Sequence, residues 1–353
     1  MAIYTVTAAI LILLFSHTLF AQQQQPSQQQ QKRNGKVNVG LVYPISSNWT
    51  GAPLDTNHFS LNLLAGVAAG AHGLSFAGIS NVVRHDADGL HVAGFSNHIG
   101  NNANGLLIAG FMNSSKSGKS TAIAGVGNFA KKGSGVQVSG LINIGGYVTG
   151  MQGAGFMNIA RNVKGLQIGG LMNKAKIIKG AQIAGLLNIA DTALYQIGII
   201  NISKNGEMRF GAQVDEDNTT LLTFRSGGKL VYGVIGAGYN FKNKENVYAV
   251  EAGLGLHLLK SGLFHLDTEL TQATLANFEG SASFRFTFRL MPAISITKKI
   301  SVFVAPSFNL IHTDSMEDRL LRKKYVTTWN ENNGGKFTGL YFGYSAGVIY
   351  SIR

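Results

Sequence analysis

One short phrase, copied along the chain between Gly73 and Asn201, limits what this sequence can become more than any other feature. It runs Gly, two or three apolar or amide positions, Gly, an apolar pair, Asn. The clearest copies are Gly135-Val-Gln-Val-Ser-Gly-Leu-Ile-Asn143, Gly165-Leu-Gln-Ile-Gly-Gly-Leu-Met-Asn173 and Gly180-Ala-Gln-Ile-Ala-Gly-Leu-Leu-Asn188. The closing asparagines are Asn81, Asn97, Asn113, Asn128, Asn143, Asn158, Asn173 and Asn188. They are spaced 16, 16 and then repeatedly 15 residues apart, and a shortened copy closes at Asn201 after 13. A repeat this regular is one structural unit stacked on its own copies, because such units bury their faces only against neighbours. At these equivalent sites a side-chain amide can satisfy backbone near a turn or continue a ladder.

The repeats read as strands. No window holds a sustained i, i+3, i+4 apolar pattern, and each interior Gly would cost a helix about 1 kcal/mol. In Gly165–Asn173 one parity carries Leu166, Ile168, Gly170 and Met172, an apolar face. The other carries Gln167, Gly169, Leu171 and Asn173, a mixed face with amides. Two architectures accept such a unit. Each copy can be one membrane-spanning strand with a tight turn, since those strands need about 9–11 residues. Alternatively each copy is one coil of a β-solenoid, with Gln and Asn stacked along its axis.

From Lys229 onward the alternation is cleaner. Tyr248, Val250, Ala252, Leu254, Leu256 and Leu258 oppose Glu251, Gly253, Gly255 and His257. Phe264, Leu266 and Leu270 oppose His265, Asp267 and Glu269, and Phe284, Phe286, Phe288 and Leu290 oppose Arg285, Thr287 and Arg289. A last run places Leu340, Phe342, Tyr344, Ala346, Val348, Tyr350 and Ile352 on one side. Long strands with one apolar face, a charged opposite face and tight turns are what a transmembrane β-barrel requires.

The chain opens with an apolar stretch, Ala8 to Phe15, closing at Leu19-Phe20-Ala21. That stretch is too short to span a bilayer as a helix and suits a secretory signal over residues 1–21. The glutamine tract behind it reads as a disordered spacer over 22–36. The glycine-rich β-repeat region is expected over 37–206 and the barrel strands over 207–353. Cysteine is absent, which excludes disulfides, thiolate metal sites and a cysteine nucleophile. The net charge of +13 suits acidic envelope surfaces as well as nucleic acid, and export favours the former.

The Gly-x-Gln-x-x-Gly-apolar-x-Asn repeats resemble the surface repeat proteins of Gram-negative bacteria, a family widespread in the Bacteroidetes. The passage Gly198-Ile-Ile-Asn-Ile-Ser-Lys-Asn-Gly206, together with Gly253-Leu-Gly-Leu256 and Leu266-Asp-Thr-Glu-Leu270, resembles that family's C-terminal continuation. The resemblance implies location and architecture and supplies no catalytic residues. Some copies depart from the pattern: Ser75, His91 and Leu107 stand in place of Gln, Ser120 in place of the first Gly, and Gly153 in place of an apolar residue.

Candidate chemistry is sparse. Gly118-Lys-Ser-Thr121 lacks the earlier Gly and the strand-to-helix setting of a phosphate-binding loop, and reads as a turn. Asp86-Ala-Asp-Gly89 lacks the distal Glu of a calcium loop and reads as turn chemistry. The set with content is Glu251, His257, His265, Asp267, Glu269, Arg285 and Arg289, which neighbouring strands aim to one side. In a barrel that side is the lumen, where opposite charges pair across strands. Ion selection and a hydrolase using Thr271 or Thr287 are the weaker readings, and Thr268 lies on the wrong face.

The expectation is an all-β outer-membrane protein. Its main form is an antiparallel meander closing as one barrel of about 16–20 strands. Its alternative is a solenoid block with a smaller C-terminal barrel. The expected function is structural or porin-like without catalysis, the alternative being a surface-exposed solenoid acting in adhesion or envelope interaction. No cofactor or metal is expected. The expected partners are outer-membrane lipid with small solutes or envelope surface ligands, and not nucleic acid.

Overall fold

A computed structural model describes residues 37–352 apart from 229, 278–281, 322–323 and 331–335. The expected signal segment and glutamine spacer lie outside the described residues. No described helix is long and apolar enough to cross a membrane.

The repeats build a parallel stack. Each copy pairs with the next in register: Met157 lies beside Met172, Asn158 beside Asn173, Gly165 beside Gly180 and Gln167 beside Gln182. The same relation links Ile142–Ala154 to Met157–Gly169, and Met172–Ala184 to Leu187–Ile197. One 15-residue coil runs as a strand, Met157–Gly169, that bends at Gly165 and ends at the tight corner Gly170-Leu171. Val148, Val163 and Ile178 fill the interior with Ala160, Ala175, Ala190 and Ala193. Small side chains are needed there because the two walls of the coil lie close together. Glycine at 165 is required on two counts. Its φ is +138°, and a Cβ would collide with the carbonyl oxygen of Gly150 one coil earlier. Gly170 meets the carbonyl of Gly155 in the same way.

The interior is partly polar, and the amides of its central coils are hydrogen-bonded. Asn143, Asn158 and Asn173 are 0% exposed, as are Gln152, Gln167 and Gln182. Asn158 Nδ2 donates to Asn173 Oδ1 at 2.9 Å and to the Ile168 carbonyl at 2.7 Å. Gln167 Nε2 donates to Gln152 Oε1 at 2.8 Å. Gln167, Gly169 and Asn173 therefore face inward, and Leu166, Ile168, Met172 and the corner residue Leu171 face outward. In place of Leu166, Ile168 and Met172, the apolar row inside the solenoid is Val148, Val163 and Ile178 from the other half of the coil, beside the amides that hydrogen-bond along the axis.

The second sheet is a closed barrel. Its consecutive antiparallel strands are Glu207–Asp215, Thr219–Gly227, Val231–Asn240, Tyr248–Ser261, Phe264–Ala276, Ala282–Ser295, Ile300–Thr313 and Phe337–Ser351. The last closes on the first, Ser351 opposite Arg209 and Ser345 opposite Asp215. Turns at one end are short: 228–230, 262–263 and 296–299. The other end carries the turn 216–218, the connection 241–247 and those joining Ala276 to Ala282 and Thr313 to Phe337. Phe284, Phe286 and Phe288 point outward and are exposed, while Arg285 and Arg289 are buried.

The all-β class and the barrel both stand, and the repeats take the solenoid form. They do not join the meander, because in-register parallel stacking satisfies their backbone one coil to the next. Closure then needs eight strands, not 16–20. The sheets meet where the last coil abuts the barrel: the Asn201 amide N–H donates to Ser226 Oγ at 3.0 Å, and its side chain donates to the Ser226 carbonyl at 3.2 Å.

Candidate functional site: the luminal ion-pair network

Alternation along the barrel strands sends every second side chain inward, and eight strands leave an interior that side chains can fill. The centre is Glu269 on Phe264–Ala276. Arg225 Nε donates to Glu269 Oε1 at 2.7 Å and Arg225 Nη2 to Oε2 at 3.2 Å, a two-point pairing of planar groups. Tyr232 OH donates to the same carboxylate at 2.8 Å. Arg289 Nε lies 3.2 Å from Glu269 Oε2, and its Nη2 pairs with Glu251. Arg225 also donates to Gln213 Oε1 at 3.1 Å. Arg225, Glu251, Glu269 and Arg289 are all at most 3% exposed, so no bulk water competes for these bonds.

Toward the short turns Asp267 accepts from Arg209 Nη1 at 3.1 Å and pairs with His257 Nδ1 at 2.8 Å. Arg209 stacks over the Tyr232 ring, 4.8 Å from its centroid. Toward the long loops Arg285 pairs with Asp215 at 2.7 Å and lies 3.7 Å from Asp217. Between these groups is a cavity of about 20 Å³, room for about one water molecule, bordered by Asp215, Glu251, Arg285, Arg289 and Asn309. Burial pushes the carboxyl of Glu216, on the turn above it, up from its ordinary value; Asp215 adds to this and Arg285 opposes it.

At the long-loop mouth sits a helical turn, Met316–Leu320. Its Asp318 is buried and takes bonds from Asn243, from Asn246 at 2.9 Å, from Ser283 and from Thr313 at 3.0 Å.

Six of the seven residues singled out in the sequence thus lie among buried luminal ion pairs. Glu251, His257, Asp267, Glu269 and Arg289 sit in the main network, and Arg285 in the smaller group. His265 stands apart at the rim, its Nε2 2.6 Å from Ser295 Oγ. Alternation alone did not pick out Arg209, Arg225, Tyr232, Asp215 or Asp217. Asp217 lies on a turn, and the strands of the others are interrupted by Gly and Ser, which blurs the period that marked the later ones.

The chemistry of the network is pairing. Among the described residues no Ser or Thr hydroxyl is hydrogen-bonded to His257, whose Nδ1 is engaged by Asp267 and whose Nε2 lies 3.5 Å from Glu207. Thr271 accepts from Arg289 Nη2 at 2.9 Å, and Thr268 donates to a backbone carbonyl at 3.0 Å. Among the described residues no group of His, Asp and Glu could hold a metal ion.

The other sequence candidates are corners of the solenoid. Asp86 Oδ1 accepts from the Asn102 amide at 2.9 Å, and Asp88 Oδ1 from Asn104 at 2.7 Å. The Asn104 bond holds the Asp88 carboxyl below its ordinary value, with His72 adding to the effect and burial opposing it. The Lys119 N–H donates to Asn104 Oδ1 at 2.9 Å, continuing that row.

No protein-family model matches the chain, and no curated protein matches it. Among solved structures it is similar to the crystal structure of Neisserial surface protein A (NspA). The two are 11% identical with a TM-score of 0.22, over 41% of this chain and 93% of that one.

Proposed function

We propose that this is an exported outer-membrane protein in which the eight-stranded barrel is an anchor rather than a pore, and the solenoid is the working element. The observation that carries the reading is the barrel's inversion: aromatic and aliphatic side chains outside, arginine–carboxylate pairs inside. An apolar outer wall suits lipid, and a charged interior is tolerable there because its groups satisfy one another. The buried arginine–carboxylate pairs leave between them a cavity of about 20 Å³, which favours the anchor reading over a porin. The repeats' resemblance to surface repeat proteins of Gram-negative bacteria agrees with an envelope role without catalysis.

The test is fractionation, gel mobility before and after heating, and conductance in planar bilayers. The expected result is an outer-membrane protein that migrates faster unheated and gives no stable conductance steps. Reproducible steps would restore the porin, and recovery in the soluble cytosolic fraction would remove the anchor.

A further inference from the structure

The solenoid is two-sided in its chemistry as well as its shape. The corner that follows each second glycine carries an exposed apolar row that includes Phe95, Leu141, Phe156, Leu171 and Leu186. The walls on either side continue it outward, with Met157 and Met172 on one and Val138, Ile168 and Ile183 on the other. Toward the N-terminal end the second wall opens into a groove of about 350 Å³ lined by Val39, Leu61, Phe76 and Val92. Apolar surface this continuous is not ordinary for a face turned to water.

The opposite edge of several coils is basic. Lys131, Arg161 and Lys176 occupy one row and Lys119, Lys164 and Lys179 the next, all exposed. No carboxylate occurs between Asp88 and Asp191 to offset them. Strands rise about 3.3 Å per residue, so Arg161 lies roughly 13 Å along the wall from Met157 at the apolar corner. Half of a bilayer's hydrocarbon core is about 15 Å deep. A mainly apolar edge of that depth, interrupted by exposed Lys174 whose long stem can carry its charge outward, lies under rows of cations. It has the dimensions of an element set into one leaflet, with its cations among the headgroups.

The joint to the barrel supplies the orientation. The Asn201 N–H belongs to the free edge of the last coil, so it points along the solenoid axis. Its acceptor is Ser226, which alternates with the luminal Arg225 and so belongs to the barrel's outer wall. On the neighbouring strand Gly233 has the same outward parity, and a Cβ there would strike the carbonyls of Gly198 and Ile199. The axis therefore meets the wall from the side, beside the short turn 228–230. A solenoid held this way runs along a membrane and not away from it. In outer-membrane barrels the short turns face the periplasm, which places it against the phospholipid leaflet.

We propose that the solenoid's apolar corner is seated in an anionic phospholipid leaflet, its basic rows contacting headgroups, as an arm extending sideways from the barrel on the short-turn side. The proposal rests on the barrel being a membrane anchor. Continuity with the barrel's apolar wall and the unopposed positive charge select lipid over a second copy or another protein.

The native chain has no cysteine, so single labels report cleanly. The full protein is placed in vesicles of phosphatidylcholine and phosphatidylglycerol carrying brominated acyl chains. A fluorophore is attached at Phe156→Cys, Leu171→Cys, Lys176→Cys or, on the barrel wall, Phe286→Cys. Heat-dependent gel mobility verifies folding of each variant. The expected result is loss of most emission at 286, 156 and 171 and retention at 176. Quenching at 286 without quenching at 156 and 171 overturns the arm and leaves the anchor standing. Cross-linking between copies through 156 or 171 in place of quenching likewise overturns it, in favour of self-association. No quenching at 286 overturns the anchor and the arm together. For the charge contribution, Arg161→Gln/Lys164→Gln/Lys176→Gln/Lys179→Gln should reduce quenching at 171 to the level in pure phosphatidylcholine. Equal quenching in both lipids before substitution would overturn recognition of anionic headgroups.

Discussion

Asn158 and Gln167 share one buried interior, yet their ladders run in opposite senses. The Asn amide donates toward the next coil, and the Gln amide donates toward the previous one. Opposed rows of amide dipoles partly cancel, so stacking many copies does not build up a large axial dipole. Asn158→Leu would leave Asn173 Oδ1 and the Ile168 carbonyl without this donor. A loss of at least about 2 kcal/mol is expected in chemical denaturation, against little change for the exposed Lys164→Gln. His91 stands in the Gln row beside Leu107 and is fully buried. Burial holds its imidazole below the ordinary value, with Asp88 opposing. The unfolded chain then takes up a proton below about pH 6.5 that the folded chain refuses. Stability is whole above that pH and falls as pH drops through the window down to the folded value. His91→Leu should flatten this part of the pH–stability curve, and an unchanged slope from pH 7.5 to 5 would show that His91 does not contribute it.

The coil, not the strand, is the unit of the repeat block. Removing residues 158–172 joins Met157 to Asn173 and keeps both ladders in register, because those two asparagines are equivalent. The shortened protein should fold, unfold cooperatively and keep its heat-dependent mobility. Removing half a coil exchanges inward and outward faces and should abolish folding. Gly165→Ala should be far more disruptive than Gly153→Ala, since only the first has a positive φ and a backbone oxygen in the path of its Cβ. Midpoints of denaturation in one detergent would rank them.

In the whole molecule, luminal pairing is what makes the barrel's interior compatible with its exterior. Glu269→Gln leaves Arg225 and Arg289 buried with reduced compensation. A penalty of about 3–5 kcal/mol is expected, read as a lower temperature for loss of the fast-migrating form. Lys204→Gln breaks the 3.1 Å pair with Asp191, in which Lys204 is well exposed, and should change stability by under about 1 kcal/mol. Similar shifts in the two variants would mean that the luminal network is not the barrel's stabilising core.

Local regularity was legible without coordinates. The 15-residue spacing specified a stacked unit, and alternation in Phe284–Leu290 specified which side chains of that strand share a face with Arg285 and Arg289. Period two cannot say which face is inside. Gln167 and Leu166 alternate identically whether the amides line a lumen or a dry core, and the pairing direction of the repeats decides between them. That direction is a long-range choice, made when Asn158 finds Asn173 rather than an antiparallel neighbour. The partners of Glu269 were hidden for the same reason: Arg225 is 44 residues away, and no local pattern records that closure of the barrel brings them within 2.7 Å. Sequence alone determined the repeating unit and the two-faced strands; the tertiary structure decided parallel against antiparallel, inside against outside, and eight strands against many. Local periodicity is set by backbone geometry over a few residues, whereas sheet partners depend on which distant hydrogen bonds and buried charges can be satisfied together.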